Sequence, residues 1–223
     1  MQNEIKIIGI IGGSGALGSG LGYRLARAGY KIIVGSREPS KSFNSINEIN
    51  NKIDDNLITV DSNKNAAEFS DLVILTVPFS FHEEMLKEIS PFVKNKIVVD
   101  TTVPLVPPKV ARVQLPEYGS VAKRTQDSLG NEVRVVSAFQ NVAATNLHKD
   151  DFSHGEVLVF GNNKDSREIV IDLIEKIDLK GWHAGSIDNS VVAESLTSVL
   201  IFMNKYYKMD GAGIKINDSS LGS

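Results

Sequence analysis

Short runs of apolar residues alternate along this chain with segments in which apolar residues recur every three or four positions. The short runs are typical of strands buried on both faces, and the longer spacing is typical of helices with one apolar face. The sequence predicts strands at Ile5–Ile11, Lys31–Val34, Leu57–Val60, Leu72–Val77, Lys96–Asp100, Arg134–Phe139, Val157–Phe160 and Gly181–Ala184. It predicts helices at Ala16–Ala28, Ser40–Ile53, Asn63–Phe69, Phe81–Val93, Asp165–Ile177 and Ser190–Lys208.

This alternation predicts an α/β fold in which a parallel sheet is covered by helices on both faces. Right-handed crossovers between such strands give a doubly wound sheet. Four prolines between Thr101 and Gln126 interrupt the alternation and predict a long loop, with a helix beginning near Ser120. We therefore expect a doubly wound sheet followed by a smaller C-terminal α/β extension that ends in a helix.

The last predicted helix carries a single apolar stripe. Val192, Leu196, Val199, Met203 and Tyr206 are spaced alternately by four and three positions. Such a stripe is typical of a helix that packs on the protein core. It also fits a helix at a dimer interface or beside a cofactor pocket, and the sequence leaves both alternatives open.

The composition excludes several classes of function. The 223 residues include 24 Lys and Arg against 27 Asp and Glu, a net charge of −3, and no basic block that would bind nucleic acid. Because no cysteine occurs, disulfides, thiolate catalysis and cysteine-bound zinc are excluded. The chain has no run of about 18 apolar residues that would span a membrane. The polar start Met1–Glu4 does not resemble a signal peptide, so we expect a cytoplasmic protein.

A glycine pattern, G-x-G-x-x-G, follows the first predicted strand and opens the first predicted helix. Its residues are Gly13, Ser14, Gly15, Ala16, Leu17 and Gly18. The first glycine permits a tight turn, the second lets a pyrophosphate approach the backbone, and the third lets helix and strand pack closely. The free N–H groups at the helix start then face the phosphates. We therefore expect residues 1–100 to be the Rossmann-type, dinucleotide-binding half of a single domain spanning 1–223.

The end of the second predicted strand indicates which dinucleotide binds. Enzymes that use NAD place Asp or Glu there, to bond the ribose 2′-hydroxyl. Here the strand ends in Ser36 and Arg37, whose donors suit a 2′-phosphate, and Lys41 adds a second cation one turn later. The prediction is NADP rather than NAD, and the alternative is that Arg37 and Lys41 are solvated loop charges.

Pro78 and Phe79 follow the fourth predicted strand, at the sheet edge where this fold binds ligands. Phe79 then lies beside the nicotinamide or, alternatively, in the core.

His82 begins a metalloprotease-like pattern whose second histidine is missing, so no metal site is predicted. The chain also lacks the Tyr-x-x-x-Lys pair with which carbonyl reductases donate a proton. Hydride exchange between two bound rings needs proximity and orientation rather than a proton donor. The absence of the Tyr-x-x-x-Lys pair therefore favours hydride exchange between two bound rings.

Seven segments carry a resemblance to a known family, and they cover nearly the whole chain in order. They are Gly12–Gly18, Val34–Arg37, Leu75–Pro78, Lys96–Val99, Val135–Ala138, Val192–Thr197 and Gly213–Lys215. Together they resemble the NADPH-dependent reductases of coenzyme F420, an 8-hydroxy-5-deazaflavin. The resemblance implies hydride exchange between NADP(H) and the deazaflavin, no obligatory acid or base, and a homodimer.

Carried over by position, the resemblance assigns residues to both substrates. It implies that Ser14–Leu17 bind the pyrophosphate and that Ser36, Arg37 and Lys41 hold the 2′-phosphate. It implies that Phe79 and Glu83, next to Pro78, line the nicotinamide half of the ring pocket. It also implies that the place where the two rings stack is shaped by Val103, Pro104, Leu105, Ala143 and Ala144 and closed by a loop at Ala212 and Gly213. Residues 101–223 would then be the half that forms the deazaflavin pocket and the dimer contact.

The chain departs from this family at Gln140, Asn141 and Ala143, where the family has His, Thr and Pro. The departure falls in the expected deazaflavin pocket. It leaves open an NADP-dependent reductase of another acceptor, such as a flavin, a metal chelate or an imine. It also leaves open a non-catalytic NADP(H)-sensing module that binds a partner protein.

Overall fold

The computed structural model describes residues 5–53, 57–151 and 155–217, so the predicted polar start Met1–Glu4 lies outside the described residues. Its strands are β1 (Ile7–Ile11), β2 (Lys31–Ser36), β3 (Ile58–Ser62), β4 (Leu72–Leu75), β5 (Ile97–Asp100), β6 (Arg134–Ser137), β7 (Glu156–Gly161) and β8 (Lys180–His183). Its helices are α1 (Ala16–Arg27), α2 (Pro39–Asn50), α3 (Asn63–Glu68), α4 (Phe79–Ile89), α5 (Val121–Leu129), α6 (Lys164–Glu175) and α7 (Ser190–Tyr207). Short 3-10 helices lie at Ser90–Phe92, Ala144–His148 and Ile187–Asn189.

The strands of the described ranges form one sheet in the order β3-β2-β1-β4-β5-β6-β7-β8. Neighbouring strands from β3 to β6 pair in parallel. The chain moves outward from β1 to β3 and then returns to add β4 on the other side of β1. The predicted doubly wound fold is therefore confirmed, and the reversal opens a crevice at the carboxyl ends of β1 and β4.

The C-terminal extension continues this sheet with the strand direction reversed. Strand β7 runs antiparallel to β6, and β8 runs parallel to β7. Among the described residues of the connection between β6 and β7, the short helix Ala144–His148 is the only helix. Parallel neighbours need a longer crossover, whereas antiparallel neighbours do not, so this short connection accounts for the reversed strand direction at the junction.

The core lies on both faces of the sheet, and β4 shows how the sequence produces it. Leu72 and Ile74 point to the face covered by α1, α2 and α6, whereas Val73 and Leu75 point to the face covered by α3, α4 and α5. All four side chains are buried. Because successive strand residues alternate between faces, a central strand covered twice must be apolar at every position.

The apolar stripe of α7 is largely exposed in this chain. Val192 is 59% exposed, Val199 43% and Tyr206 68%. The opposite, buried face carries mainly small and polar side chains: Ser190, Ala193, Glu194, Ser198 and Leu200. Small residues let α7 approach the body of the protein closely, and of the two alternatives for the apolar stripe, packing on the core is not supported.

Candidate functional site

The loop between β1 and α1 leaves the start of α1 open to a ligand. Gly12 has a φ of +73°, and a Cβ there would lie 2.8 Å from Val77 Cγ1, so this tight turn favours glycine. Gly15 is the N-cap of α1, no side chain caps the helix, and no acidic residue stands in its first turn. The N–H groups of this turn can therefore bind an anion, which the helix dipole also favours.

Gly13 and Gly18 hold α1 close to the sheet. A Cβ on Gly18 would lie 2.5 Å from the Gly13 Cα and 2.6 Å from Thr76 Oγ1. Thr76 Oγ1 is itself fixed, because it donates to the Ile11 carbonyl at 2.9 Å. These glycines therefore allow close packing of helix and strand, and neither of them lines the cavity beside the loop.

A cavity of about 840 Å³ lies beyond the carboxyl ends of the central strands. Its wall is formed mainly by residues 12–17 after β1, 36–42 after β2, 76–85 after β4 and 101–110 after β5. Ser14, Gly15, Ala16 and Leu17 of the glycine pattern belong to it. The volume is in the range of cofactor sites, about 300–1,000 Å³, and the position is the reversal of strand order at which this fold binds ligands.

The end of β2 presents hydroxyl groups and cations to this cavity. Ser36, Arg37, Lys41 and Ser42 all line it. Ser42 Oγ donates to Ser36 Oγ at 2.8 Å, and Ser36 Oγ also accepts from the Glu38 N–H at 3.2 Å. Lys41 Nζ lies 2.5 Å from the Glu38 carboxylate, with both side chains mostly exposed. Because exposed ion pairs are weak, Lys41 can exchange Glu38 for a phosphate at little cost.

Helix α4 begins at Phe79, two residues before its predicted start, and Pro78 is its N-cap. Phe79 and Phe81 are therefore in the first turn, and both line the cavity together with Pro78. The Arg37 guanidinium lies over the Phe81 ring, with its carbon 4.5 Å from the ring centroid. Phe79 is half-buried in this wall, so the alternative that it belongs to the core is not supported.

Glu83, which the resemblance assigns to the ring pocket, lies outside the cavity wall. Its carboxylate is 3.6 Å from Arg124 Nε, beside a groove between α4 and α5. Glu84 lines the cavity instead. Residues three apart share a helix face, so the turn that directs Phe81 into the cavity also directs Glu84 there and turns Glu83 away.

The segment after β5 supplies an apolar part of the wall. Val103 and Leu105 line the cavity together with Val106, whereas Pro104 between them does not. The segment turns at this point, since the Leu105 N–H donates to the Val103 carbonyl at 2.7 Å. Two of the three residues assigned to the pocket in this segment are therefore in its wall.

Four other assigned residues lie outside this wall: Ala143, Ala144, Ala212 and Gly213. The helix Ala144–His148 packs on α1, where His148 Nε2 is 3.2 Å from the Ala16 carbonyl. Asn146 Nδ2 donates to the Gly211 carbonyl at 3.3 Å. The segments around Ala143–Ala144 and Ala212–Gly213 therefore lie next to each other and near α1. Neither segment forms part of the cavity wall.

A buried polar cluster joins α4, β5 and α5. Asp100 Oδ2 accepts from His82 Nε2 at 2.9 Å and from Thr125 Oγ1 at 2.5 Å, while Oδ1 accepts from the Thr102 N–H at 2.9 Å. Burial opposes both charges, yet the Asp100 carboxylate raises the pKa of His82, and His82 lowers the pKa of Asp100. The cluster therefore holds the end of β5, from which the apolar wall begins, against both helices.

Gln140 and Asn141 are buried and do not line the cavity. Gln140 Nε2 donates to the Asp100 carbonyl and to Ser137 Oγ, both at 2.9 Å. Asn141 Nδ2 donates to the Glu156 carbonyl at 2.6 Å. Both side chains therefore connect strands, and the departure from the family pattern at these two positions alters strand connections rather than the cavity wall.

Glu194, in the segment Val192–Thr197, is a buried carboxylate at the start of α5. It accepts from the N–H groups of Val121 and Ala122 at 2.8 and 3.2 Å and from the Ser190 hydroxyl at 3.1 Å. Burial raises the pKa of Glu194, although the backbone bonds oppose the shift. The carboxylate satisfies the open N–H groups of α5 and thereby fastens α7 to the end of the long loop.

Ser42, Phe81 and Glu84 line the cavity although no sequence motif indicates them. A signal for them exists, because proline is favoured at a helix start. A start at Pro78 places Phe81 and Glu84 on one face of α4, and Pro39 in the same way places Ser42 in the first turns of α2.

Comparison with known proteins agrees with this geometry. The family model described as NADP oxidoreductase, coenzyme F420-dependent, matches residues 7–104. The chain is 37% identical over 220 residues to the F420-dependent NADP reductase of Methanocaldococcus jannaschii, covering 95% of this chain and 98% of that protein. It is 34% identical over 221 residues to the enzyme of the same name from Methanothermobacter thermautotrophicus, covering 95% and 94%.

Solved structures show the same fold. A crystal structure of a candidate F420-dependent NADP reductase from an Arthrobacter species has a TM-score of 0.78 at 19% identity, covering 96% of this chain and 100% of that chain. An imine reductase from Myxococcus stipitatus, solved with NAD+, has a TM-score of 0.61 at 16% identity, covering 92% and 62%. On the identity to its relatives over nearly its whole length, the chain belongs to the family of coenzyme F420-dependent NADP oxidoreductases.

Proposed function

We propose that this protein transfers a hydride between NADP(H) and coenzyme F420. The observation that carries the proposal is the cavity in which an uncapped helix start, a group of hydroxyls and cations, and an apolar wall meet. These three features suit a pyrophosphate, a 2′-phosphate and a pair of flat rings. The relatives named F420-dependent NADP reductase support the same pair of substrates.

The dinucleotide would be held by α1 and by the end of β2. The N–H groups around Ser14–Leu17 would donate to the pyrophosphate. The Ser36 hydroxyl and the Arg37 guanidinium would donate to the 2′-phosphate, and Lys41 would join them by leaving Glu38. NAD lacks the phosphate, so it would leave these donors without their partner, which favours NADP.

The rings would lie against the apolar wall, which includes Phe79, Met85, Val103 and Leu105. When both substrates are bound, the nicotinamide supplies a hydride that the deazaflavin accepts. The wall would hold the two flat rings in contact and in orientation, which is the main requirement of such a transfer. Contacts of the deazaflavin with the segments at Ala143–Ala144 and Ala212–Gly213 stay predictions.

No specific observation favours a different acceptor. Gln140 and Asn141 depart from the family pattern, and this departure left a flavin, a metal chelate or an imine open as the acceptor. Both side chains are buried between strands. The proposal therefore keeps the deazaflavin as acceptor and treats the other reductases and the sensing module as outcomes of the test.

The exposed face of α7 supports a homodimer. Phe202 is 52% exposed, and its ring stacks on Tyr206 with the centroids 5.7 Å apart. Val192 and Val199 extend this apolar stripe along the helix. Adjacent exposed apolar side chains of this kind are typical of an interaction site, and a stripe on a single helix suits a twofold contact of α7 with its copy.

Light scattering of the purified protein tests the dimer. We expect twice the mass of one chain, and we expect Phe202→Glu to give a single chain because it places a charge in the contact. Phe69→Glu is the matched control, since Phe69 is similarly exposed, at 59%, but lies outside α7. A wild-type protein that is monomeric at micromolar concentration contradicts this part of the proposal.

The proposal treats residues 1–223 as one domain. Residues 1–100 would bind the dinucleotide, and residues 101–223 would complete the ring site and the dimer contact. In the described ranges, no helix is long and apolar enough to cross a membrane. A cytoplasmic location and the absence of nucleic-acid binding stay predictions.

The activity is tested by mixing the purified protein with NADPH and oxidised coenzyme F420 and following both absorbances. We expect loss of the deazaflavin absorbance to match NADPH oxidation one to one, with NADH a much poorer donor. NADPH oxidation with a free flavin, but not with F420, would replace the acceptor. NADPH binding without turnover of any acceptor would favour the sensing module.

A further inference from the structure

Phe81 has no role in any motif of this chain, yet it makes a specific contact at the site. It is the third residue of α4, and the residue is 38% exposed. The guanidinium carbon of Arg37 lies 4.5 Å from the centroid of this ring. Both side chains line the cavity, so the contact joins the residue after β2 to the helix after β4.

Arg37 makes this contact without using its hydrogen-bond donors. In the described ranges it has neither an ion pair nor a side-chain hydrogen bond, whereas Lys41 nearby is paired with Glu38. A guanidinium that stacks through its face keeps its N–H groups at its edge, available to a second partner. The cation–π contact therefore holds Arg37 in place while its donors have no other partner among the described residues.

At the observed spacing, the pair leaves no room for a base between the two groups. Stacked carbon atoms approach to about 3.5–4 Å, so an adenine inserted between Arg37 and Phe81 would need roughly twice that separation. The observed 4.5 Å is the spacing of a direct cation–π contact. Phe81 therefore contacts the arginine and not a base sandwiched against it.

We propose that Phe81 positions Arg37 for the 2′-phosphate and thereby strengthens the preference for NADP over NAD. The hydroxyls of Ser36 and Ser42, 2.8 Å apart, mark the place of that phosphate next to Arg37. An arginine that is already held loses less conformational freedom on binding. Phe81 is a positioning residue in this scheme, and the inference rests on the proposed NADP site.

The test compares two ligand fragments by calorimetry: 2′,5′-ADP, which carries the 2′-phosphate, and 5′-AMP, which does not. Phe81→Leu should weaken 2′,5′-ADP about two- to fivefold, the size of an exposed cation–π contact, and leave 5′-AMP unchanged. Phe81→Tyr keeps the ring and should restore binding. Phe69→Leu, at an exposed phenylalanine outside the cavity, should change neither ligand.

A double-mutant cycle shows whether Phe81 acts through the arginine. In an Arg37→Leu background, Phe81→Leu should cause no further loss of 2′,5′-ADP binding. Equal loss of both ligands would assign the ring to the base, and a persistent loss in the Arg37→Leu background would assign it a contact with the ligand that does not depend on Arg37. Either result, or an unchanged Phe81→Leu protein, overturns the inference while the wild type still binds 2′,5′-ADP. A wild type that does not bind 2′,5′-ADP would refute the NADP site itself.

Discussion

Replacing Asp100 with Asn should destabilise the protein strongly, although Asp100 lies in no sequence motif. The side chain is fully buried, and its two oxygens accept three hydrogen bonds, from His82, Thr125 and the Thr102 N–H. An amide of the same shape keeps the volume but removes the charge. It also turns an N–H donor toward one side of the cluster, where donors already point.

The expected loss follows from the strength of these bonds. Hydrogen bonds to a charged group contribute about 1.5–3 kcal/mol and neutral ones about 0.5–1.5 kcal/mol, so weakening three bonds costs about 3 kcal/mol. Breaking a buried ion pair costs about 3–5 kcal/mol, and His82 can lessen that cost by losing its proton. For a domain of this size, about 3 kcal/mol lowers Tm by roughly 6–12 °C.

The loss should depend on pH in a defined direction. Because the pKa of His82 is raised above its ordinary 6.5, its charge stabilises the fold below that value, and the contribution is lost as the pH rises through the raised pKa. Because the pKa of Asp100 is lowered below its ordinary 3.8, its charge stabilises the fold above that value, and the contribution is lost as the pH falls through the lowered pKa. The difference in free energy of unfolding between wild type and Asp100→Asn should therefore be largest from about pH 4 to 6.5. It should become smaller at alkaline pH.

Urea unfolding at pH 5.5, 7 and 9 measures this difference directly. Asp127→Asn is the control, because Asp127 is an exposed carboxylate on the same helix as Thr125 and should change stability by less than about 0.5 kcal/mol. A loss for Asp100→Asn as small as the control, or one that grows from pH 7 to pH 9, would refute the assignment of a charged His82–Asp100 pair.

Three further substitutions test the dinucleotide site. Arg37→Leu should lower kcat/KM for NADPH by about 10- to 150-fold, the value of a charged hydrogen bond, with little change for NADH; equal losses would contradict a 2′-phosphate role. Glu38→Gln removes the competitor for Lys41 and should tighten NADPH about two- to fivefold, measured as Kd; weaker binding would mean that Glu38 itself contacts the substrate. Gly18→Ala forces a Cβ to 2.5 Å from Gly13 and should cost about 1–3 kcal/mol in urea unfolding, whereas an unchanged stability would show that α1 can move away from the sheet.

The sequence predicts the central fold well because local chemistry decides it. Strand β4 must be apolar at every position to be covered on both faces, and all four residues of Leu72–Leu75 are apolar. An apolar strand sequence does not indicate the direction of the strand, so the reversed direction of β7 was not predictable from it. Periodicity located one face of α7 but not the surface that this face meets, and the small residues opposite proved to be the buried ones.

The same distinction applies to the site. The glycine loop was predictable because backbone clashes require glycine there, and Ser36 and Arg37 were predictable because a strand end directs side chains to the ligand edge. Glu83 was misplaced because neighbouring helix residues are rotated by about 100°, so neighbouring side chains such as Glu83 and Glu84 point to different surfaces. The contact of Phe81 with Arg37 depends on the fold, which places the end of β2 next to the start of α4.

Direct transfer of the hydride is the central claim, and isotope labelling tests it most directly. NADPH carrying deuterium at one or the other C4 position is reacted in turn with oxidised coenzyme F420, and the reduced deazaflavin is analysed by mass spectrometry. We predict that one labelled form delivers its deuterium to the deazaflavin without loss to water and that the other delivers none. Deuterium absent from the deazaflavin with both forms, or recovered in the solvent, would contradict the account.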